Sequence, residues 1–201
     1  MATGLKWQSC RGSVLQNAVD AGESLKDYIG EGGGVYFWKA RYRAEAWEAS
    51  DAASMVAWLD RLTSGIHGRS TMTTISHVLQ IPSVEIRGGG LNEEKRQYLL
   101  QFLKSAPARK WLADYVESLE KFSPTLYVGE TGNLRRRASE HVRHMTDFGL
   151  YVQESSDLSW EFLDFYYLPL GGFESKPEKL RKSIEYVSAA LTIAGLTKRP
   201  G

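Results

Sequence analysis

The sequence predicts an α+β fold: a small, mainly antiparallel three-stranded sheet flanked by helices, with a large helical insertion between the first two strands. Three segments rich in aromatic and β-branched residues carry the strand prediction, at residues 34–43, 125–129 and 158–168. Segments with helical spacing lie between them. With 42% hydrophobic and 24% charged residues over 201 positions, the chain has the composition of a folded globular protein.

The N-terminal 33 residues are predicted to form a helical extension. Apolar residues recur at roughly helical spacing from 11 to 29 and stop at the glycine-rich run 30–34. The first predicted strand, GVYFWKARYR, begins at this run. Because the glycines precede a strand and lack a Gly-Lys-Ser/Thr ending, they do not form a nucleotide-binding loop.

Residues 41–122 are predicted to be a mainly helical insertion. Asn92 is a candidate N-cap of its second helix, and Pro107 separates the last two helices. A short strand is also predicted within residues 77–87. The predicted helices span residues 52–62, 93–104 and 108–121.

The remaining predicted unit combines residues 34–40 with residues 123–201. Its second strand leads through a glycine-containing turn to Asn133, a good N-cap for a helix over 134–145. A third strand and a final helix over 178–194 complete it.

Composition excludes several classes of protein. The single cysteine, Cys10, excludes an intrachain disulfide framework and any zinc site built from several thiolates. The formal charge of +1, from 25 basic and 24 acidic residues, neither indicates nor excludes a nucleic-acid partner. No segment has the length and hydrophobicity of a signal peptide or a membrane span, so we expect a cytoplasmic protein without a membrane anchor.

Two complementary triplets form the first candidate site, Gly34-Val35-Tyr36 and Tyr127-Val128-Gly129. If their strands pair antiparallel, tyrosine lies beside tyrosine and glycine beside glycine, because alternate residues share a face. The valines then face the core, and the glycines leave an uncovered strip that a substrate backbone can approach. The alternative is that both tyrosines are ordinary strand residues with a polar tip at the surface.

The helix after the second strand adds charged groups to this site. Arg137 and His141 are four residues apart and therefore share a helical face, beside the apolar face of the same helix. A guanidinium at this boundary can hold two phosphate oxygens and stays charged throughout a reaction. For the neighbouring Arg135 and Arg136 the alternatives are a solvated basic face or simple phosphate contact.

The series GVY…YVGETGNLRRRASEH resembles the motifs of the GIY-YIG endonuclease superfamily. In that family an arginine falls ten residues after the tyrosine of the second motif, and a histidine often falls four residues later. These positions are Arg137 and His141. The resemblance covers residues 34–40 and 123 to about 197. Two features depart from it: the motif tyrosines are 91 positions apart (127 minus 36), and no asparagine follows the last helix.

The family also implies a metal-binding glutamate on a helix after the third strand. Glu185 is our choice, because it shares a helical face with the small residues Ala189 and Thr192. Glu174 and Glu178 are better interpreted as exposed residues near the helix start, where negative charge favours the helix dipole.

The resemblance implies metal-dependent hydrolysis of DNA phosphodiester bonds, with Mg²⁺ or Mn²⁺ held by Glu185. Arg137 would offset charge on the scissile phosphate. Tyr36 or Tyr127 would position or deprotonate the attacking water, and His141 is the second choice for this proton transfer. Five basic residues are predicted to contact the DNA backbone: Lys39, Arg41, Arg43, Arg135 and Arg136.

A restriction or defence endonuclease is the first biological hypothesis, because the insertion offers helices for reading a groove or binding a partner. A structure-specific repair or recombination nuclease is the alternative of the same chemistry. A noncatalytic DNA-binding or interaction module on the same scaffold is the alternative of another class. Some restriction enzymes of this superfamily act as dimers, so a homodimer is also expected.

Overall fold

The computed structural model of the protein describes residues 6–67, 91–123, 125–155, 158–170 and 177–192. The chain divides into two compact units. The first comprises Met1–Ala40, Ser123–Ser155 and Ser159–Gly201, and the second Arg41–Phe122 with Ser156–Leu158. The strand predicted within residues 77–87, as well as Glu174, lies outside the described residues.

The sheet of the first unit has four strands: β1 (Gln8–Arg11), β2 (Gly34–Ala40), β3 (Thr125–Thr131) and β4 (Leu163–Pro169). They lie in the order β1-β4-β2-β3, and every neighbouring pair is antiparallel. The predicted α+β class and antiparallel sheet are therefore confirmed, but the prediction of three strands is wrong. β1 was missed because QSCR is short and has no apolar alternation, so only its pairing with β4 identifies it.

The helices mostly begin and end near the predicted residues. They are α1 (Gly12–Asp20), α2 (Ala52–His67), α3 (Glu93–Phe102), α4 (Ala106–Ser118), α5 (Leu134–Val142), α6 (Asp147–Glu154) and α7 (Pro177–Thr192). The helical pattern predicted over residues 11–29 is interrupted, since α1 ends at Asp20 and a separate 3₁₀ turn follows at Leu25–Asp27. Within the described residues, no helix is long and apolar enough to cross a bilayer.

Local capping explains where three of these helices begin. Asn92 accepts the Lys95 backbone N–H at 2.9 Å, and Asn133 accepts that of Arg136 at 3.0 Å, so both predicted N-caps are confirmed. Pro107 lies in the first turn of α4, where its missing N–H has no helical partner to lose. Ser105 caps this helix, so the break between α3 and α4 precedes the proline.

The two faces of the sheet pack against different helices. On one face, Trp38 and Phe165 contact each other, and Trp38 also contacts Phe148 of α6. On the opposite face, Val35 and Leu168 form a small apolar cluster with Leu170, against which Ile184 of α7 packs. Since successive strand residues alternate between faces, each strand contributes to both layers.

Candidate active site

The paired strands β2 and β3 bring the two triplets together, in a different register from the predicted one. Tyr36 lies opposite Gly129, and Tyr127 lies opposite Trp38. The predicted register, which set Tyr36 beside Tyr127, was therefore wrong by two residues. Because side chains alternate with a period of two, this shift keeps Tyr36 and Tyr127 on one face, with ring centroids 6.1 Å apart.

Gly129 explains the register. A Cβ atom at this position would lie 2.3 Å from Tyr36 Oη and 2.5 Å from Cζ, so the phenol ring crosses directly over the glycine backbone. The uncovered strip predicted beside the glycines is therefore filled here by Tyr36. Val35 and Val128 are buried, as predicted.

Tyr36 begins a chain of buried polar contacts. Its hydroxyl lies 3.0 Å from His141 Nε2, and the other ring nitrogen, Nδ1, lies 2.7 Å from Thr146 Oγ1. Thr146 is the N-cap of α6, and its hydroxyl also accepts the Gly149 backbone N–H at 3.0 Å. Tyr36 is 1% exposed and His141 is fully buried. The chain therefore links a strand and two helices through hydrogen-bonding groups that are shielded from water.

Burial and the nearby Arg137 guanidinium lower the pKa of His141 to about 3, so this imidazole is neutral near pH 7. A neutral imidazole donates from one nitrogen and accepts at the other. Two proton arrangements satisfy the contacts. In one, the Tyr36 hydroxyl donates to His141 Nε2; in the other, Nε2–H donates to the Tyr36 oxygen while Thr146 donates to Nδ1.

The two phenols differ in their access to solvent. Burial, followed by the neighbouring Tyr127, raises the pKa of Tyr36 well above 10. Burial also raises the pKa of Tyr127, whereas interaction with the Tyr36 hydroxyl and the charge of Arg137 act in the opposite direction. Tyr127 is only partly buried. Of the two hydroxyl groups, it is therefore the one better placed to meet a ligand.

One nitrogen of the Arg137 guanidinium forms an ion pair, whereas another has no hydrogen-bond partner among the described residues. Its Nη1 lies 3.0 Å from Glu140 Oε2, and its side chain is 34% exposed. Nε is buried and has no hydrogen-bond partner among the described residues. A buried donor without a partner is costly, and an anionic ligand can remove that cost.

Glu185 reaches the same region from α7. Its carboxylate is half-buried, and the backbone N–H of Glu130, which follows Gly129 in β3, lowers its pKa. Burial raises the pKa of Glu185, as does the negative charge of Glu130, while the Arg137 guanidinium lowers it. Glu185 also acts electrostatically on both tyrosines. The five predicted site residues thus come together from β2, β3, α5 and α7.

The side chains around Glu185 suit a divalent ion that keeps most of its water ligands. In the described part of the chain, no group of three or more His, Cys, Asp or Glu side chains is arranged to hold an ion. Glu185 offers one carboxylate, and the nearby Glu130 is ion-paired with Arg181 at 2.9 Å. Mg²⁺ commonly keeps several waters and binds through one or two carboxylates plus substrate phosphates, so a single glutamate fits this ion.

The five basic residues predicted to contact DNA are divided between the two units of the chain. Arg41 is only 7% exposed and pairs with Glu45 at 2.8 Å, because burial of a guanidinium requires a partner. Arg43 donates to Glu117 at 2.9 Å. Both belong to the second unit. The assignment of Arg41 as a DNA contact stays a prediction, and its guanidinium is shielded and already has an acidic partner.

The other three cations belong to the first unit. Arg135 donates through Nε to the Ile29 carbonyl at 2.8 Å, and Arg136 pairs with Glu140 at 2.8 Å. Lys39 lies in β2 one residue from Trp38, so it belongs to the face opposite Tyr36 and Tyr127.

Three residues near the site were not predicted: Thr146, Glu130 and Arg181. Thr146 carries a sequence signal, since a threonine ahead of an apolar segment is a typical N-cap. Glu130 and Arg181 are separated by 51 residues in the chain, and no local pattern links them.

A scan against protein-family models and searches of curated proteins and solved structures found no match to this chain. The GIY-YIG resemblance therefore remains a prediction from the motif residues.

Proposed function

We propose that this protein is a metal-dependent endonuclease that hydrolyses phosphodiester bonds in DNA by GIY-YIG-type chemistry. One observation carries the proposal. Two tyrosine hydroxyls, the unpartnered Nε of Arg137 and the half-buried carboxylate of Glu185 converge from separate segments on strand β3. A purely structural cluster has no need of an unsatisfied guanidinium donor beside a carboxylate of raised pKa.

Arg137 is proposed to bind the scissile phosphate. Its fork is fixed on one side by Glu140, and a phosphate bound beside it would supply the acceptor that the buried Nε lacks. In the transition state for water attack, negative charge grows on the phosphoryl oxygens. A guanidinium already in place stabilises that charge without reorganisation.

Tyr127 is proposed to orient the attacking water and to receive its proton, because Tyr36 is sealed from solvent. The buried chain supports this role in one of its two proton arrangements. There, Gly149 N–H donates to Thr146, Thr146 to His141, His141 to Tyr36, and Tyr36 interacts with Tyr127. Every donor then points towards Tyr127 and stabilises its deprotonated form. Tyr36 and His141 act as positioning residues in this scheme.

Glu185 is proposed to hold one Mg²⁺ or Mn²⁺ ion. When bound, such an ion polarises a phosphate oxygen and stabilises the leaving oxygen. The raised pKa of Glu185 reflects a carboxylate that is partly desolvated beside another negative charge. Both conditions favour a cation as its partner.

The proposed biological role is restriction of, or defence against, foreign DNA, and a structure-specific repair nuclease is the alternative. The ends of the product fragments distinguish the two, since a restriction enzyme cuts at a sequence and a repair nuclease at a structure. A homodimer is proposed as the cleaving form. Its mass is measurable by light scattering.

The test is incubation of the purified protein with plasmid, phage and branched DNAs, in Mg²⁺, in Mn²⁺ and in EDTA. We expect cleavage with either metal and none with EDTA. Arg137→Ala and Glu185→Ala should lose activity while keeping the melting temperature of the unmodified protein within a few degrees. Absence of cleavage of every DNA, or full activity of both variants, would contradict the proposed function.

A further inference from the structure

Arg181 is a second arginine at the edge of the candidate site. It lies on α7 four residues before Glu185 and therefore one helical turn away on the same side. Its Nε donates to Glu130 Oε2 at 2.9 Å, and the two side chains are 13% and 18% exposed. The guanidinium is thus oriented by a well-shielded ion pair.

The terminal nitrogens of Arg181 lie beside bare backbone. A Cβ atom on Gly33 would lie 3.1 Å from Nη1, and one on Gly132 would lie 3.6 Å from Nη2. These glycines stand just before β2 and just after β3. Because neither has a side chain, Nη1 and Nη2 pack closely against the backbone, with no Cβ atom in between.

Nη1 and Nη2 of Arg181 have no hydrogen-bond partner among the described residues, although Nε has one. A guanidinium held at Nε can still present two parallel N–H donors to a phosphate.

Glu130 links Arg181 to the rest of the site. Its side chain pairs with Arg181, and it acts electrostatically on Glu185, as Arg137 also does. Arg181 and Arg137 therefore both lie near the same glutamate pair. A DNA strand carries regularly spaced phosphates and can engage both guanidinium groups at once.

We propose that Arg181 binds a second phosphate of the DNA strand, next to the one bound by Arg137, and so positions the strand for cleavage. This inference rests on the proposed function. It makes Arg181 a binding residue whose fork is oriented in advance by Glu130.

Two variants separate this role from a structural one, because Arg181→Gln and Glu130→Gln break the same ion pair. They change the charge in opposite directions. Binding of a short fluorescent duplex of mixed sequence is measured in EDTA over a series of salt concentrations, and thermal unfolding is recorded for each variant.

We expect Arg181→Gln to weaken binding about 10-fold at low salt and to reduce the slope of log K against log salt by about 1. Glu130→Gln should leave that slope unchanged and keep binding within about 3-fold, since removal of a negative charge beside the phosphate offsets the loss of the contact that orients the fork. Both should lower the melting temperature by similar amounts. Arg181→Lys, which keeps the charge and loses the fork, should keep the slope.

Equal weakening of binding by Arg181→Gln and Glu130→Gln, or an unchanged salt slope for Arg181→Gln, would overturn the inference. If the unmodified protein cuts DNA while Arg181→Gln binds as it does, only this inference fails. If the unmodified protein neither binds nor cuts DNA, the proposed function fails together with it.

Discussion

Polar groups on the two flanks of strand β3 differ in charge and in burial. On the α5 flank, which comprises α5 and the tyrosine-bearing face, the innermost polar groups are neutral and sealed: Tyr36 and His141 are almost completely buried and hydrogen-bonded. The charged Arg137 of this flank is 34% exposed and pairs with Glu140. On the α7 flank, which comprises α7 and Glu130, the groups are charged and partly exposed. Gly129 lies where the two flanks meet.

This difference follows from the cost of desolvation. A neutral chain whose members all have partners tolerates complete burial, whereas a buried charge needs a counter-charge or water. The carboxylate of Glu185 and the guanidinium of Arg181 therefore stay near the edge strand. In the proposed function, the α5 flank transfers the proton and binds the scissile phosphate through Arg137. The α7 flank holds the metal through Glu185 and a second phosphate through Arg181.

Breaking the α7 flank should have the largest effect. Glu185→Gln keeps the shape of the side chain and removes the charge proposed to hold the metal. We expect single-turnover cleavage in Mg²⁺ to fall by about 10³-fold, which corresponds to several kcal/mol of lost stabilisation. Glu178→Gln is the control, because Glu178 is on the same helix, exposed and paired with Lys182. Equal rates for the two variants would contradict the assignment.

Disturbing the junction should affect the α5 flank selectively. The methyl of Gly129→Ala would collide with the Tyr36 ring, so we expect a cost of about 1–3 kcal/mol in stability and roughly 10²-fold slower cleavage. Gly30→Ala is the matched control, since its methyl meets its nearest neighbours at 3.8 Å. DNA binding in EDTA should be unchanged in both variants. If Gly129→Ala cuts and unfolds like Gly30→Ala, Tyr36 does not need its observed position.

The register at Gly129 also marks the limit of what the sequence could predict. The antiparallel pairing, the N-caps and the helix of Arg137 follow from local patterns, because capping residues and strand propensity act over a few positions. The offset of two residues depends on where the Tyr36 ring fits over a glycine, which is a matter of three-dimensional packing. The same holds for the pair of Glu130 with Arg181.

The last helix shows a related limit. Its apolar stripe predicts burial, and Ile184 does pack on the sheet. Val187 and Leu191, however, are exposed by 53% and 78% in the described structure. A helical repeat fixes which residues share a face, but it does not fix how much of that face the neighbouring strands cover.

Removing single hydroxyls should sharpen the contrast within the α5 flank. Tyr36→Phe leaves a nitrogen of His141 buried without its partner, so we expect a loss of about 1–3 kcal/mol of unfolding free energy. Tyr127→Phe, at a partly exposed position, should change stability by roughly 0.5 kcal/mol or less. Both should slow cleavage. Urea unfolding measures both changes in stability. Equal losses would show that the hydrogen bond between Tyr36 and His141 contributes no more than the partly exposed hydroxyl of Tyr127 does.

The pH dependence of stability should report the buried imidazole. The pKa of His141 is about 3 in the folded protein and near 6.5 when exposed, so between these values the unfolded state binds the extra proton. Stability should therefore fall as the pH drops below 6.5, by up to about 1.4 kcal/mol per pH unit. His141→Gln should lack this contribution. Parallel stability curves for the two proteins would show that His141 is charged or accessible in the folded state.

The central claim is that Arg137 on the α5 flank and Glu185 on the α7 flank act on one phosphate. A double-mutant cycle in single-turnover DNA cleavage tests it, with Arg137→Gln, Glu185→Gln and the combined variant. If both act on the same transition state, each single variant is slow, and the double variant is far less impaired than the product of the two effects. Effects that simply multiply, or single variants that cut at the unmodified rate, would contradict the claim.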